Sequence, residues 1–232
     1  MSENPAELKK NYETVLNNIR EAALSAGRDP ASVRLIAVSK TKPVSMMREL
    51  YALGQREFGE NHVQEILEKR EEFPEAVYHM IGHLQRNKVR QVVGKAVMIH
   101  SVDSIRLAEE ISKESVKRGL ISPVLLEINV GNEESKYGFR FDETEEAVRA
   151  FSLLPGISLQ GFMCVAPYVA DPEENRPLFH KMCDLAVDIR TKNIDNIHID
   201  ELSMGMTNDY RVAVQEGATI VRVGTALFGS RG

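Results

Sequence analysis

The sequence predicts a closed (β/α)8 barrel of the TIM type, an α/β fold, with one extra helix in front. Three observations carry this. Short apolar runs alternate with segments of helical periodicity, so the strands run parallel and helices cross between them. Eight strand patterns occur, which is the number such a barrel closes with. After the first strand stands Ser39-Lys40-Thr41-Lys42-Pro43, not the glycine fingerprint of an open doubly wound sheet, the competing architecture. The 232 residues suit a single domain spanning 1–232, with no linker and no room for a second domain.

The elements follow in order. Asn4 is a plausible N-cap and Pro5 a first helical residue. Leu8, Tyr12, Val15, Ile19 and Ala22 then recur at helical spacing, and Gly27 and Pro30 stop the helix. The first strand is expected at about 34–41, where Leu35-Ile36-Ala37-Val38 reads as a buried run. A helix over 44–53 ends at Gly54, and a short strand covers 56–60. Helix 61–73 has Val63, Ile66 and Leu67 on one face. Then come strand 77–82, helix 84–93, strand 97–102 and a helix to Arg118 that Asp103 or Ser104 could cap. Strand 123–130 is followed by a polar loop over 131–140 and a helix over 142–154. Its first turn carries Asp142, Glu143, Glu145 and Glu146, which complement the helix dipole. Strand 157–165, a loop with Pro167 and Pro172, helix 173–192, strand 198–204, helix 208–216 and a last strand 219–228 complete the chain.

Composition excludes several functions. A net charge of −5 and a pI of about 5.8 argue against a nucleic-acid coat, leaving room for a local basic pocket. Two cysteines, Cys164 and Cys183, have neither metal-ligand nor disulfide spacing, which fits a reducing cytoplasm. No signal sequence and no apolar run of membrane-spanning length is visible. The expectation is a cytoplasmic protein with no nucleic-acid or membrane partner.

Chemistry concentrates where the strands end, because a barrel brings its C-terminal strand ends to one mouth. The first strand delivers Lys40. An amine at a strand end is either a snorkelling cation or, if desolvated, a neutral nucleophile able to form a Schiff base. Strand two delivers Glu60 and Asn61, strand three His83, strand five Asn129, and strand six Met163 and Cys164. Strands seven and eight deliver Ser203-Met204-Gly205 and Gly224-Thr225. Glycine-bearing segments at these two strand ends commonly hold phosphate in barrels. Arg222 lies two residues before Gly224 and therefore on the same strand face. It needs either an acceptor such as a heteroaromatic nitrogen or an internal salt bridge, for example to Asp200 or Glu201. His79 and His83 stand ~13 Å apart along a strand, too far to share a metal ion. An amine, a phosphate cradle and a guanidinium in one mouth match the aldehyde, phosphate and ring nitrogen of pyridoxal 5′-phosphate (PLP).

Six segments carry a resemblance to a known family. They are Ala37-Val38-Ser39-Lys40-Thr41-Lys42-Pro43, Phe58-Gly59-Glu60-Asn61-His62-Val63-Gln64-Glu65, Ile81-Gly82-His83-Leu84-Gln85-Arg86-Asn87-Lys88, Ser135-Lys136-Tyr137-Gly138-Phe139, Leu202-Ser203-Met204-Gly205-Met206 and Val221-Arg222-Val223-Gly224-Thr225-Ala226-Leu227-Phe228-Gly229. In this order they resemble the YggS/PROSC family of PLP homeostasis proteins, which is related to the barrel domain of alanine racemase. His62 stands where the family often has tyrosine, and Thr207 where it often has serine.

The resemblance implies a fold-type III PLP barrel with Lys40 as the internal aldimine and Arg222 at the pyridine nitrogen. It implies Ser203, Gly205, Gly224 and Thr225 on the phosphate and Asn61 near the cofactor, with His83 and Met204 completing the binding set. It also implies a monomer that holds and exchanges PLP in vitamin B6 homeostasis, with PLP-dependent apo-enzymes as recipients and no established turnover. An amino-acid racemase is the alternative. However, Arg222 keeps its proton and so cannot readily protonate the ring, which makes the ring a poorer electron sink. The racemase's second acid/base comes from a further domain and a dimer partner. A lysine aldolase on a similar barrel is a fold-level analogy only. Lys42 is expected to be solvated, and Lys136 is a candidate second landing site for PLP.

Overall fold

The computed structural model describes residues 5–131 and 137–229. Eight parallel strands close into a barrel in sequence order: β1 (Arg34–Val38), β2 (Glu57–Glu60), β3 (Val77–Met80), β4 (Met98–Val102), β5 (Ser122–Ile128), β6 (Ile157–Cys164), β7 (Ile197–Ser203) and β8 (Ile220–Val223). β8 pairs back onto β1, with Ile36 opposite Arg222 and Ala37 opposite Val223. The fold is thus the TIM-type barrel expected.

The helices are α1 (Pro5–Ser25), α2 (Val44–Ala52), α3 (Val63–Glu72), α4 (Val89–Val92), α5 (Ile105–Lys117), α6 (Thr144–Ser152), α7 (Arg176–Thr191), α8 (Tyr210–Gln215) and α9 (Thr225–Phe228). In α1, the five periodic residues Leu8, Tyr12, Val15, Ile19 and Ala22 are all buried. Gly27 then turns the chain at φ +68°. The proposed cap Asn4 lies outside the described residues. Ser104 is the cap of α5, accepting the Leu107 N–H.

Two expected elements differ. The segment 84–93 is not one helix but a 3-10 turn, Arg86–Lys88, followed by the short α4. The last strand does not reach Phe228. It ends at Val223, and after Gly224 the chain coils into α9. Val221 and Val223 are followed after Gly224-Thr225 by Ala226-Leu227-Phe228, so apolar pattern alone could not show where extended backbone gives way to helix.

Most of the apolar core lies between the barrel wall and the helices, where α1 packs on α8 and α9. The barrel interior holds only a small separate apolar layer, Ile36, Met98, Leu125, Met163 and Ile220. Polar residues fill the interior above and below it. Arg34 on β1 reaches Glu201 on β7 at 2.6 Å, and these strands are not neighbours, so the contact crosses the lumen.

β6 bends where its register shifts between Leu159 and Gly161. Gly161 has φ +152°, and a Cβ there would fall 1.9 Å from the Glu201 carbonyl oxygen. Backbone cannot yield as a side chain can. Gly161→Ala is therefore expected to cost about 3 kcal/mol. Thermal denaturation should show this as a fall of roughly 6–12 °C in Tm.

Candidate functional site

The mouth at the C-terminal strand ends is organised first around Lys40, which follows β1 by two residues and is half-buried. Ser39 before it is fully buried, and each of its polar groups is engaged. Its N–H donates to the Gly59 carbonyl at 3.1 Å, and its carbonyl accepts from Lys42 N–H at 3.0 Å. The same carbonyl accepts from Lys69 Nζ at 2.7 Å, and the Ser39 hydroxyl donates to Glu60 Oε1 at 2.6 Å. After Lys40, Thr41 has φ +63°, a left-handed conformation unusual for a β-branched residue. Its N–H donates to Glu65 Oε1 at 2.6 Å. Lys69 ties the two carboxylates together, 2.8 Å from Glu60 and 3.3 Å from Glu65. Burial pushes the Glu60 carboxyl upward, and the Lys69 ammonium pulls it back.

The second organising residue is Arg222, on β8 and 3% exposed. Nη1 donates to Ser203 Oγ at 2.6 Å and Nη2 to the Cys164 carbonyl at 2.7 Å. Among the described residues, no carboxylate lies within ion-pair distance of it. The salt-bridge alternative is therefore not realised: Glu201 pairs with Arg34 instead. Ser203 Oγ lies 2.9 Å from His100 Nδ1, and His100 Nε2 lies 3.0 Å from His79 Nδ1. Both imidazoles are neutral. Burial chiefly drives His79 down to about 3 and His100 well below its usual range. One tautomer set satisfies the row, with every donor pointing the same way: Arg222 to Ser203, Ser203 to His100, His100 to His79. That set leaves a proton on His79 Nε2, which faces Glu57 Oε2 at 3.6 Å. These two atoms are otherwise buried without partners.

The loop after β7 carries Met204, fully buried, and Gly205 at φ +89°. A Cβ at Gly205 would fall 2.6 Å from Ala213 Cβ and 2.9 Å from Tyr210 Cα, so only glycine permits this crossing. The Gly205 carbonyl accepts the Arg222 N–H at 3.0 Å, joining the two strand ends. Asp209 braces the loop by accepting the Met206 N–H at 2.8 Å. Thr207 Oγ1 accepts the Ala226 N–H at 3.3 Å. Gly224 packs its backbone on Val38, two residues before Lys40, and Thr225 is exposed at the start of α9. The Ser203 hydroxyl, expected on a phosphate, is turned inward to Arg222 and His100 instead.

Asn61 stands at the end of β2 with the Gly82 backbone directly against it. His83 sits farther out, at the rim. Its Nδ1 is 3.0 Å from Asp103 Oδ2, and its ring stacks on Tyr137 at 3.8 Å. Lys42 is not free in solvent as expected, because its Nζ donates to the Phe228 carbonyl at 3.3 Å. Cys164 is buried, and burial pushes its thiol up to about 12, so it is inert. Ser135 and Lys136 lie outside the described residues. Among the described residues no cluster of side chains suits a metal ion.

Three residues escape a reading of strand ends. His100 and Glu127 lie one strand step inside the mouth, and period-two alternation from Met98 and Leu125 puts them on the inward face. Lys69 sits on the outer helix α3, where only its i,i+4 spacing from Glu65 hints at a pair. Glu127 is pushed up to about 7, by burial first and then by Asp103, with Arg222 opposing. A raised carboxylate pKa means the folded state favours the protonated form. Stability is then lost as pH rises from the ordinary carboxylate range through about 7. Glu127→Gln removes this loss, so its Tm advantage over the wild type is expected to grow between pH 5 and pH 8, as followed by thermal denaturation in roughly matched salt.

Comparison with known proteins agrees with this geometry. Residues 11–232 match the family model described as alanine racemase, N-terminal domain. A pyridoxal phosphate homeostasis protein of Aquifex aeolicus is 42% identical over 94% of this chain and 95% of its own. PipY of Synechococcus elongatus, solved with PLP bound, is 37% identical, with a TM-score of 0.79 over 91% of this chain and all of that one. Alanine racemase of Clostridium difficile is alike in fold alone, at 16% identity and a TM-score of 0.72, with 97% of this chain covering 56% of the enzyme. The chain thus belongs to the family of pyridoxal phosphate homeostasis proteins, on the alanine racemase N-terminal-domain barrel.

Proposed function

We propose that this protein holds and exchanges PLP through a Schiff-base linkage to Lys40 and so serves intracellular PLP homeostasis. The observation that carries the reading is Arg222: a sealed guanidinium whose described bonds go only to a hydroxyl and a carbonyl. Such a cation calls for one further acceptor at the mouth. A pyridine nitrogen is such an acceptor, and the PLP-bound state of PipY supports the choice. When bound, PLP supplies an aldehyde for the Lys40 amine and a phosphate for the loops after β7 and β8.

The residues divide the work. Lys40 attaches the cofactor, and Arg222 donates to the ring nitrogen while keeping its own proton. Ser203 contributes by holding Arg222. Met204, Gly205, Gly224 and Thr225 shape the loops offered to the phosphate. Asn61 borders the site, and His83, clamped by Asp103 and Tyr137, forms its rim. With Arg222 as its ring partner, a bound pyridine would stay unprotonated and would be a poorer electron sink for a carbanion. We further read the protein as a single-domain, monomeric, cytoplasmic carrier that passes PLP to apo-enzymes. Lys136 is a candidate second landing site.

Borohydride reduction of the PLP-loaded protein, followed by peptide mapping, is expected to place the adduct on Lys40. Lys40→Ala should abolish it and leave a colourless protein. A principal adduct on Lys42 would overturn the assignment. Incubation with alanine in deuterated water should leave its Cα hydrogen in place; Lys40-dependent exchange would instead support the racemase.

A further inference from the structure

The Glu60, Glu65 and Lys69 cluster is built around Lys40. Its bonds reach the residue before Lys40 through Ser39 Oγ and the Ser39 carbonyl, and the residue after it through the Thr41 N–H. Glu60 is fully buried and Lys69 is 8% exposed. A buried ion pair is weak evidence for stability, since apolar residues of similar volume commonly do as well or better. Something other than stability must then account for placing a cation and two carboxylates here. Their shared target is the turn Ser39–Lys42, closed by the Lys42 N–H on the Ser39 carbonyl at 3.0 Å. Thr41 in that turn holds φ +63°, a conformation that persists only when surrounding bonds over-determine it.

We propose that Lys69, Glu60 and Glu65 are positioning residues for Lys40: together they clamp the turn from both sides and aim the amine into the mouth. The inference rests on the reading of Lys40 as the attachment point. In the step served, the neutral Lys40 amine adds to the aldehyde carbon. The aldehyde oxygen leaves as water with both amine hydrogens, and a carbon–nitrogen double bond remains. Nothing is oxidised or reduced, so the cluster contributes geometry only. A clamped turn keeps the amine near the attack position before the aldehyde arrives, which raises the rate of linkage. A merely structural cluster would change stability and leave that rate alone.

The test uses the full-length protein without PLP, then with PLP added. Glu65→Ala removes the acceptor of the Thr41 N–H, whereas Glu65→Gln keeps an acceptor oxygen. Amide hydrogen exchange in the PLP-free protein is expected to accelerate about tenfold over 39–42 in Glu65→Ala, relative to the barrel strands, and to return most of the way in Glu65→Gln. The rate of borohydride-trapped PLP on Lys40 should fall about tenfold in the alanine variant and recover with glutamine. The double variant Glu60→Gln with Lys69→Met strips the buried charges. It should give the same pair of effects, and it replaces Glu65→Ala should that variant not fold. Exchange and trapping both within about twofold of wild type would overturn the proposal, and so would faster exchange with unchanged trapping. If wild-type Lys40 is never trapped, the proposed function fails, while the exchange measurement still decides whether the cluster clamps the turn.

Discussion

The constraint on which the site depends is the burial of Arg222 without a carboxylate against it. A guanidinium is always charged, and sealing one in a barrel is unfavourable unless its hydrogens find acceptors. Here they find Ser203 Oγ and the Cys164 carbonyl. Both are neutral, so the charge is bonded but not neutralised. Ser203 can accept from Arg222 because His100 takes its proton, and His100 can do so because burial keeps it neutral. The row continues through His79 to Glu57, which in turn accepts from Arg34 at 3.3 Å. Thus the electrostatics at the mouth are tied through a row of hydrogen bonds, and one 3.6 Å contact to Glu57, to the polar floor of the barrel. Beyond burial, Arg34 disfavours a protonated His79, and His79, Arg222 and Arg34 disfavour a protonated His100, so both rings have reason to stay neutral.

A lumen this polar is tolerable because the barrel does not depend on it for cohesion. The apolar interior layer is thin, and the larger core lies outside, between strands and helices. Burial in that outer core is the main favourable term of folding. The interior can therefore carry Arg34, Glu57, His79, His100, Glu127, Glu201, Ser203 and Arg222. Period-two alternation makes the division sharp: on β8, Val221 and Val223 face the outer core while Ile220 and Arg222 face inward. The site is then an extension of the lumen rather than a pocket added on top of it.

How much could be read from the sequence follows from the same division. The strands, the barrel and the alignment of Lys40 with the glycine loops were legible, because apolar periodicity reports on the outer core. The fate of 224–228 was not, since an apolar run does not distinguish strand from helix once both are buried. Ser203 shows a different limit. Its position beside Gly205 suggested phosphate, and only the lumen reveals that its hydroxyl answers to Arg222 and His100. Arg222 itself was recognisable as needing a partner, but the choice between Glu201 and a ligand needed the Arg34 contact across the barrel. Lys69 was invisible as a site residue because it lies on α3, far in sequence from the Ser39 carbonyl it holds.

Two separate polar networks therefore serve the two ends of one site. The first runs from Arg222 on β8 through Ser203 on β7 and His100 on β4 to His79 on β3, with Glu57 on β2 and Arg34 on β1 beyond it. The second joins β2 and α3 to the turn after β1 and fixes Lys40. Among the described residues they share no side chain. Interactions without shared partners act additively, whereas residues of one network couple. Arg222 and the turn that carries Lys40 are thus held by different side chains. If Lys40 attaches PLP as proposed, this separation lets the turn change without disturbing the buried guanidinium.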